Sequence, residues 1–150
     1  MSSERPVASF RFLLEIAKPG EKSEIAGGFS EVSGLESSIE FEEYHEGGVN
    51  DFVHIFPKKP KFVPLVLKRG LSQTSTLWDW YAEVRDGKIV RKSGSILLLN
   101  DDKTVLAKWD FSNAYPVRWG GPVLKANQSE IAVESIELVH TGLKLAIKNN

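Results

Sequence analysis

The chain has 150 residues, 41% hydrophobic and 26% charged, with a formal net charge of -1, which suits one globular domain able to bury its own core. The absence of cysteine excludes disulfides and thiolate metal sites and agrees with a reducing compartment. The near-zero charge gives no general drive toward nucleic acid, no apolar run approaches the ~20 residues that span a bilayer, and the start, MSSERPVASF, lacks the apolar core of a signal peptide, so synthesis in the cytoplasm is expected.

Met1 to Ala8 read as an arm, with Pro6 opposing any early helix. The segment Phe10 to Ile16 alternates, placing Phe10, Phe12, Leu14 and Ile16 on one face of a first strand. Pro19-Gly20 ends it, and Ile25 to Val32 return as a second strand in which Gly27-Gly28 marks a weak point or a bulge. After Gly34-Leu35, Ile39 and Phe41 oppose Glu40 and Glu42 on a third strand. Tyr44 to Pro60 reads as a long projecting hairpin or ordered loop with Gly47-Gly48 at its middle. Its aromatic and aliphatic residues argue against disorder, and loops of this length inside compact domains usually carry function.

Phe62 to Lys68 form a near-continuous apolar strand, so Pro64 belongs at an edge or bulge. From Thr74 the period changes. Leu77, Trp80 or Tyr81, and Val84 fall at helical spacing, with Thr74 or Ser75 as N-cap and Asp86-Gly87 as stop. This single helix, about residues 75–85, is too short to stand alone and must dock on a sheet. Ile89 to Lys92 continue extended, and Ser95 to Leu99 and Thr104 to Trp109 flank Asn100-Asp101-Asp102-Lys103 as a hairpin. From Trp109 a strand opens, breaks at Tyr115-Pro116, turns through Gly120-Gly121-Pro122 and returns as Ile131 to Val139, whose apolar groups on both faces ask for cover on both. That strand ends near His140, Gly142 interrupts it, and Leu143 to Asn150 form a tail. Many short strands and one helix predict a mainly β fold, a small barrel or sandwich with one packed helix, as a single domain over 1–150.

Few residues are arranged for chemistry. His45, His54 and His140 are scattered, and His45 beside Glu43 and Glu46 reads as solvated loop, so no metal site is expected. Gly20-Glu21-Lys22-Ser23 has the end of a phosphate loop without its first glycine, preceding strand or following helix. No Gly-x-Ser-x-Gly elbow occurs, and Ser, His and Asp follow no recognisable triad order. Glu40 and Glu42 share a strand face, where a solvated polar surface is a simpler reading than acid–base catalysis. Lys58, Lys59 and Lys61 lack interleaved aromatics for base stacking, and no sequence-specific nucleic-acid binding is expected. Trp78, Trp80, Trp109 and Trp119 lie in regular apolar segments and read as core or interface anchors. Asn127-Gln128-Ser129 matches a glycosylation sequon with no export signal behind it. The expectation is no catalytic residue, no metal and no cofactor.

Asn113-Ala114-Tyr115-Pro116-Val117-Arg118-Trp119, then Gly121-Pro122, Val133-Glu134-Ser135-Ile136-Glu137 and His140-x-Gly142-Leu143, resemble in order the C-terminal half of the tube proteins of contractile phage tails and related extracellular contractile injection systems. The likeness extends upstream to Phe10 and Gly34-Leu35. The resemblance implies a structural subunit of an inner tube, in which six-membered rings stack into a hollow conduit expelled by a contracting sheath. It implies self-association, contacts with sheath, baseplate and terminator proteins, protein or DNA cargo in the lumen, and no membrane insertion, in a phage tail or a released injection particle. It places Tyr44 to Pro60 where a projecting hairpin meets the next ring, so Gly47, Gly48, Val49, Phe52, Val53 and Ile55 are the expected inter-ring contacts. Asn113, Ala114, Tyr115, Pro116 and Trp119 are the expected structural corner, with Pro116 setting the bend. Ile96 to Leu99 would face the own core on one side and a neighbour on the other. Two alternatives stay open. One is a tail adaptor or terminator that forms a single ring; the other is a small-ligand barrel of the flavin-binding kind, which needs a concave apolar pocket.

Overall fold

The computed structural model describes residues 11–17, 20–45, 53–70, 75–122, 124, 126 and 133–148. In chain order the elements are β1 (Phe12–Ala17), β2 (Glu24–Phe29), β3 (Glu31–Ser33), β4 (Ser37–His45), β5 (Val53–Phe62), β6 (Leu65–Gly70), α1 (Thr76–Arg85), β7 (Lys92–Leu99), β8 (Val105–Gly120), β9 (Val133–Val139) and β10 (Gly142–Lys148). The expected arm at Met1 to Ala8, the sequon and the start of the strand at Ile131 lie outside the described residues.

Every strand pairing is antiparallel, and the sixteen-residue β8 organises them. Its first half lies between β7 and β10 in a sheet that continues through β1 to β2, while its second half pairs with β9 in a sheet that continues through β6 to β3. The two sheets also meet where β2 bends into β3 at Ser30, whose N–H donates to Lys68 O at 2.9 Å. The path β2-β1-β7-β8-β9-β6-β3 stays open. Of the two architectures expected, the sheets therefore adopt packed layers and do not close into a barrel.

The alternation read from β1 is observed: Leu14 and Ile16 are buried while Leu13 and Glu15 are only half-buried. Between the sheets, Leu14, Ile16, Phe29, Leu65, Leu67, Ile96, Phe111, Ile136 and Leu138 form one core, completed by Leu77 and Trp80 from α1. Fully burying such a side chain is worth roughly 1.5–3 kcal/mol. The helix repays its ordering through that stripe, and Trp80 Nε1–H donates to Val90 O at 2.8 Å so that its polar end is satisfied. Ser75 occupies the N-cap position without a side-chain bond to the backbone, its hydroxyl donating instead to Asp79 Oδ2 at 3.2 Å. Asp86-Gly87 ends the helix as expected, Gly87 taking φ +97° and its N–H donating to Val84 O at 3.0 Å.

Several expectations change. The strand at Ile25 to Val32 is two strands, because Ser30 turns the chain from one sheet to the other. Residues 88–91 lie outside any strand, and β7 begins at Lys92. The Phe62 to Lys68 strand is divided, with Val63-Pro64 as the joint between β5 and β6. At this joint Gly34 takes φ +91°, and a Cβ on it would overlap the Pro64 carbonyl, so the close approach demands glycine. The C-terminal segment is no tail: Gly142–Lys148 forms β10 and pairs with Ala107 to Ser112. β9 buries Glu134, Ile136 and Leu138 on one face, while on the other Ser135, Glu137 and Val139 are only half-buried and Val133 is 46% exposed. Ile96 and Leu97 are both buried within the subunit, so the apolar run in β7 needs no neighbour to cover it.

Candidate assembly surface

β4 and β5 form a two-stranded sheet of their own, with no ladder to the other described strands. Their register, Glu42↔Phe56, Glu43↔Ile55 and Tyr44↔His54, continues past a bulge at Ile39 to Phe41 down to Ser37↔Phe62. The hairpin thus reaches lower on both strands than Tyr44 to Pro60 implied, and Pro57-Lys58-Lys59-Pro60 lies inside a strand. Proline is tolerated there because each strand has only one partner, so its missing N–H can face outward.

Strand alternation gives the hairpin two chemically different faces. One carries Ile39, Phe41, Glu43, Ile55 and the two prolines; its apolar members are open to solvent, at 60%, 59% and 63% exposure for Ile39, Phe41 and Ile55. The other carries Glu40, Glu42, Tyr44, His54, Phe56 and Lys61. There Lys61 Nζ donates to Glu40 Oε1 at 3.1 Å, and the His54 ring lies 6.4 Å from Tyr44 and 6.3 Å from Phe56. Of the expected inter-ring contacts, Gly47, Gly48, Val49 and Phe52 lie outside the described residues, Val53 opens β5, and Ile55 stands on the apolar face.

The base of the hairpin is tied to the corner of β8. His140, between β9 and β10, places Nδ1 3.0 Å from Gly142 O and Nε2 3.2 Å from Val63 O, and packs its ring 5.3 Å from Phe62. It was read from sequence as one scattered histidine; the His140-x-Gly142 spacing within the resemblance was the available signal. Beside it, Thr141 N–H donates to Ser112 O at 2.9 Å, and Asn113 Nδ2 donates to Thr141 Oγ1 at 3.2 Å.

The expected break at Tyr115-Pro116 is absent, since β8 runs unbroken through it. The left-handed residue at this corner is Asn113, φ +52°, a conformation asparagine adopts more readily than most residues, and its side chain is held by Thr141. Ala114 and Pro116 are buried, and Pro116 sits at the register shift opposite β9, so it accompanies a bulge rather than setting the bend. Arg91 lies 5.1 Å over the Tyr115 ring, and Trp119 meets Trp78 of α1 edge-on at 5.3 Å.

A recess of about 200 Å³ is bordered by Ile16, Ala17, Glu21, Lys22, Glu24 and Lys92. Its charged rim and small size do not match the ~300–1,000 Å³ apolar clefts that hold cofactors. Among the described residues, no group of three or more His, Asp or Glu side chains converges as metal ligands.

The geometry is that of a folded block with one projecting, partly apolar arm, and the comparisons agree with a structural role. The sequence model of the T4-like virus tail tube protein gp19 matches residues 8–144. No curated protein matches the chain. Among solved structures, a chain in the six-fold symmetrised baseplate of the anti-feeding prophage is 26% identical, with a TM-score of 0.77 over 97% of each chain. A chain of the sheath–tube complex of the extracellular contractile injection system PVC, in the extended state, is 28% identical, with a TM-score of 0.75 over 95% of this chain and 93% of that one. A chain from the PVC sheath/tube terminator is 27% identical, with a TM-score of 0.75 over 97% of this chain and 100% of that one. With the family match spanning nearly its whole length, the chain belongs to the T4-like tail tube protein family and is a structural tube-type subunit.

Proposed function

We propose that this protein builds the inner tube of a contractile injection particle or phage tail, six copies closing into a ring and rings stacking into a conduit driven out when a sheath contracts. The observation that carries this reading is the β4–β5 hairpin, which leaves Ile39, Phe41 and Ile55 uncovered while the rest of the fold closes its own core. Large apolar side chains exposed together on a soluble domain mark a surface that is buried elsewhere. In this reading the hairpin, with Gly47-Gly48 at its tip and Val49, Phe52, Val53 and Ile55 along it, bridges to the next ring. A closing ring needs two different patches on each subunit and a rotation that returns to the start. The subunit performs no bond chemistry; sheath, baseplate and terminator proteins are its partners, and protein or DNA is its cargo. It is made in the bacterial cytoplasm and leaves it as part of the particle.

The similarity to a sheath/tube terminator favours a second reading, a single ring that caps a tube and never extends. Negative-stain electron microscopy of the purified chain over a range of concentrations, and of particles from cells expressing its neighbouring genes, separates the two. Stacked tubes support the tube reading. Rings that never stack support the cap, and monomers in both preparations overturn both. Deleting Glu46 to Asp51 should leave folded subunits that no longer elongate; long tubes from this deletion would refute the bridging role of the hairpin tip.

A further inference from the structure

The β4–β5 hairpin joins the body through two links, residues 34–36 after β3 and Val63-Pro64 before β6. Gly34, at φ +91°, lies against the Pro64 carbonyl, so the two links run side by side. Two links held together make a hinge, and connectivity alone does not set the angle about it. Among the described residues β4 and β5 pair with each other and with no third strand, so no ladder sets it either. The angle matters because β5 is ten residues long. At ~3.3 Å per residue the arm reaches roughly 30 Å, and a swing of about 10° at its base carries the far end about 5 Å, the spacing between two strands.

His140 supplies a further point of attachment. It stands in the turn where β9 ends at Val139, opposite Tyr115, and β10 starts at Gly142, opposite Ser112, so its backbone is anchored to β8 on both sides. The bonds from Thr141 N–H to Ser112 O and from Asn113 Nδ2 to Thr141 Oγ1 brace the same turn. From this mount the ring packs on Phe62, the last residue of β5, and brings Nε2 to 3.2 Å from Val63 O. Val63 belongs to neither the β4–β5 ladder nor the β6–β9 ladder. Carbonyl oxygens only accept, so a bond to Val63 O uses a proton on Nε2, and a bond to Gly142 O, 3.0 Å from Nδ1, uses one on Nδ1. The first bond ties the hairpin to the body. The second stays within the turn.

We propose that His140 is a positioning residue for assembly: its Nε2–H, donated to Val63 O, fixes the angle at which the hairpin leaves the body, and through that angle the fit of one ring on the next. This rests on the reading that the hairpin bridges rings and names the side chain that aims it. Gly34 and Pro64 form the pivot, and His140 holds the arm at one setting of it. One hydrogen bond is small beside the stability of a whole domain, so the role shows in where the arm points rather than in whether the subunit folds.

The chain has no cysteine, so Glu43→Cys on the hairpin and Glu83→Cys on α1, both exposed positions, take two spin labels and no others. The distance distribution between the labels is read on dilute, unassembled chain, and tube length is read in micrographs of unlabelled chain. A glutamine amide N–H reaches the place of Nε2, and an asparagine amide the place of Nδ1. Wild type and His140→Gln should give a narrow distribution and long tubes. His140→Asn should broaden the distribution and shorten the tubes while still unfolding cooperatively. His140→Phe, which keeps a ring against Phe62 and has no N–H, should behave as the asparagine variant does. A narrow distribution from either of these two, or a broad one from His140→Gln, overturns the positioning role. Absence of tubes from the wild-type chain instead overturns the ring reading beneath it, and the distances still decide whether His140 aims the arm.

Discussion

Arg69 and Glu134 face each other directly across the β6–β9 ladder, and Arg69 Nε donates to Glu134 Oε1 at 2.7 Å with both side chains more than nine-tenths buried. The guanidinium also lies 5.2 Å from the centre of the Phe29 ring, and a Cβ on Gly27 would strike its Nη1, so the glycine leaves it room. This pair explains why β9 carries a carboxylate on its core-facing side.

Breaking a buried pair strands the remaining charge, whereas replacing both partners by apolar groups removes the desolvation cost along with the attraction. Glu134→Ala should lower stability in urea unfolding by about 3–5 kcal/mol, and Arg69→Met/Glu134→Leu by much less. Equal losses from the two variants would mean that the ion pair carries none of the effect.

Gly34 closes the joint between β5 and β6. Gly34→Ala meets two penalties at once, the positive φ and the overlap with the Pro64 carbonyl. A loss of about 2 kcal/mol or more is expected in chemical denaturation, since left-handed strain alone costs roughly 1–3 kcal/mol for a residue with a Cβ. An unchanged midpoint would show that the joint relaxes without cost.

If the hairpin bridges rings as proposed, its surface residues separate folding from assembly. Phe41→Ser and Ile55→Ser remove exposed side chains, so subunit stability should stay within about 0.5 kcal/mol of wild type. Tube length in micrographs should nevertheless collapse. Tubes of normal length from both variants would take the apolar face out of the assembly.

In the turn between β7 and β8, the Asp102 carboxylate accepts from Thr104 Oγ1 at 2.6 Å and from Thr104 N–H at 3.1 Å. The side-chain bond, then the backbone bond, hold its carboxyl below the usual range. A lowered folded pKa means that the contribution is complete above the ordinary carboxyl value and is lost as pH falls through the lower folded value. Thr104→Val removes the larger cause, so the Asp102 carboxyl resonance should titrate at higher pH in NMR. A titration curve identical to wild type would assign the shift to the backbone bond.

Local pattern made some elements legible and could not reach others. Alternation in Phe12 to Ile16, the helical spacing of Leu77, Trp80 and Val84, and the Asn100 to Lys103 turn each follow from residues close in sequence, and each stands where it was read. Leu143 to Asn150 read as a tail because β10 exists only through pairing with the first half of β8, a long-range contact that Gly142 and a few exposed apolar residues do not announce. Pro116 drew the bend away from Asn113, because proline is a strong local breaker and a left-handed asparagine leaves little trace in sequence. At the hairpin, alternation showed Ile39 and Phe41 opposing Glu40 and Glu42, but which side chains of the second strand join each face needed the register and its bulge. His140 showed no role because the groups its two ring nitrogens approach, Gly142 O and Val63 O, are backbone atoms that any residue supplies.

Because β8 belongs to both sheets, the subunit has no plane along which its two layers can slide apart without distorting a covalent strand. Load arriving at one layer passes to the other along the backbone of Val105 to Gly120 rather than through side-chain packing alone. In a pulling experiment the two layers should therefore give way in one event rather than in two successive steps, the shared strand working as the keel of the subunit.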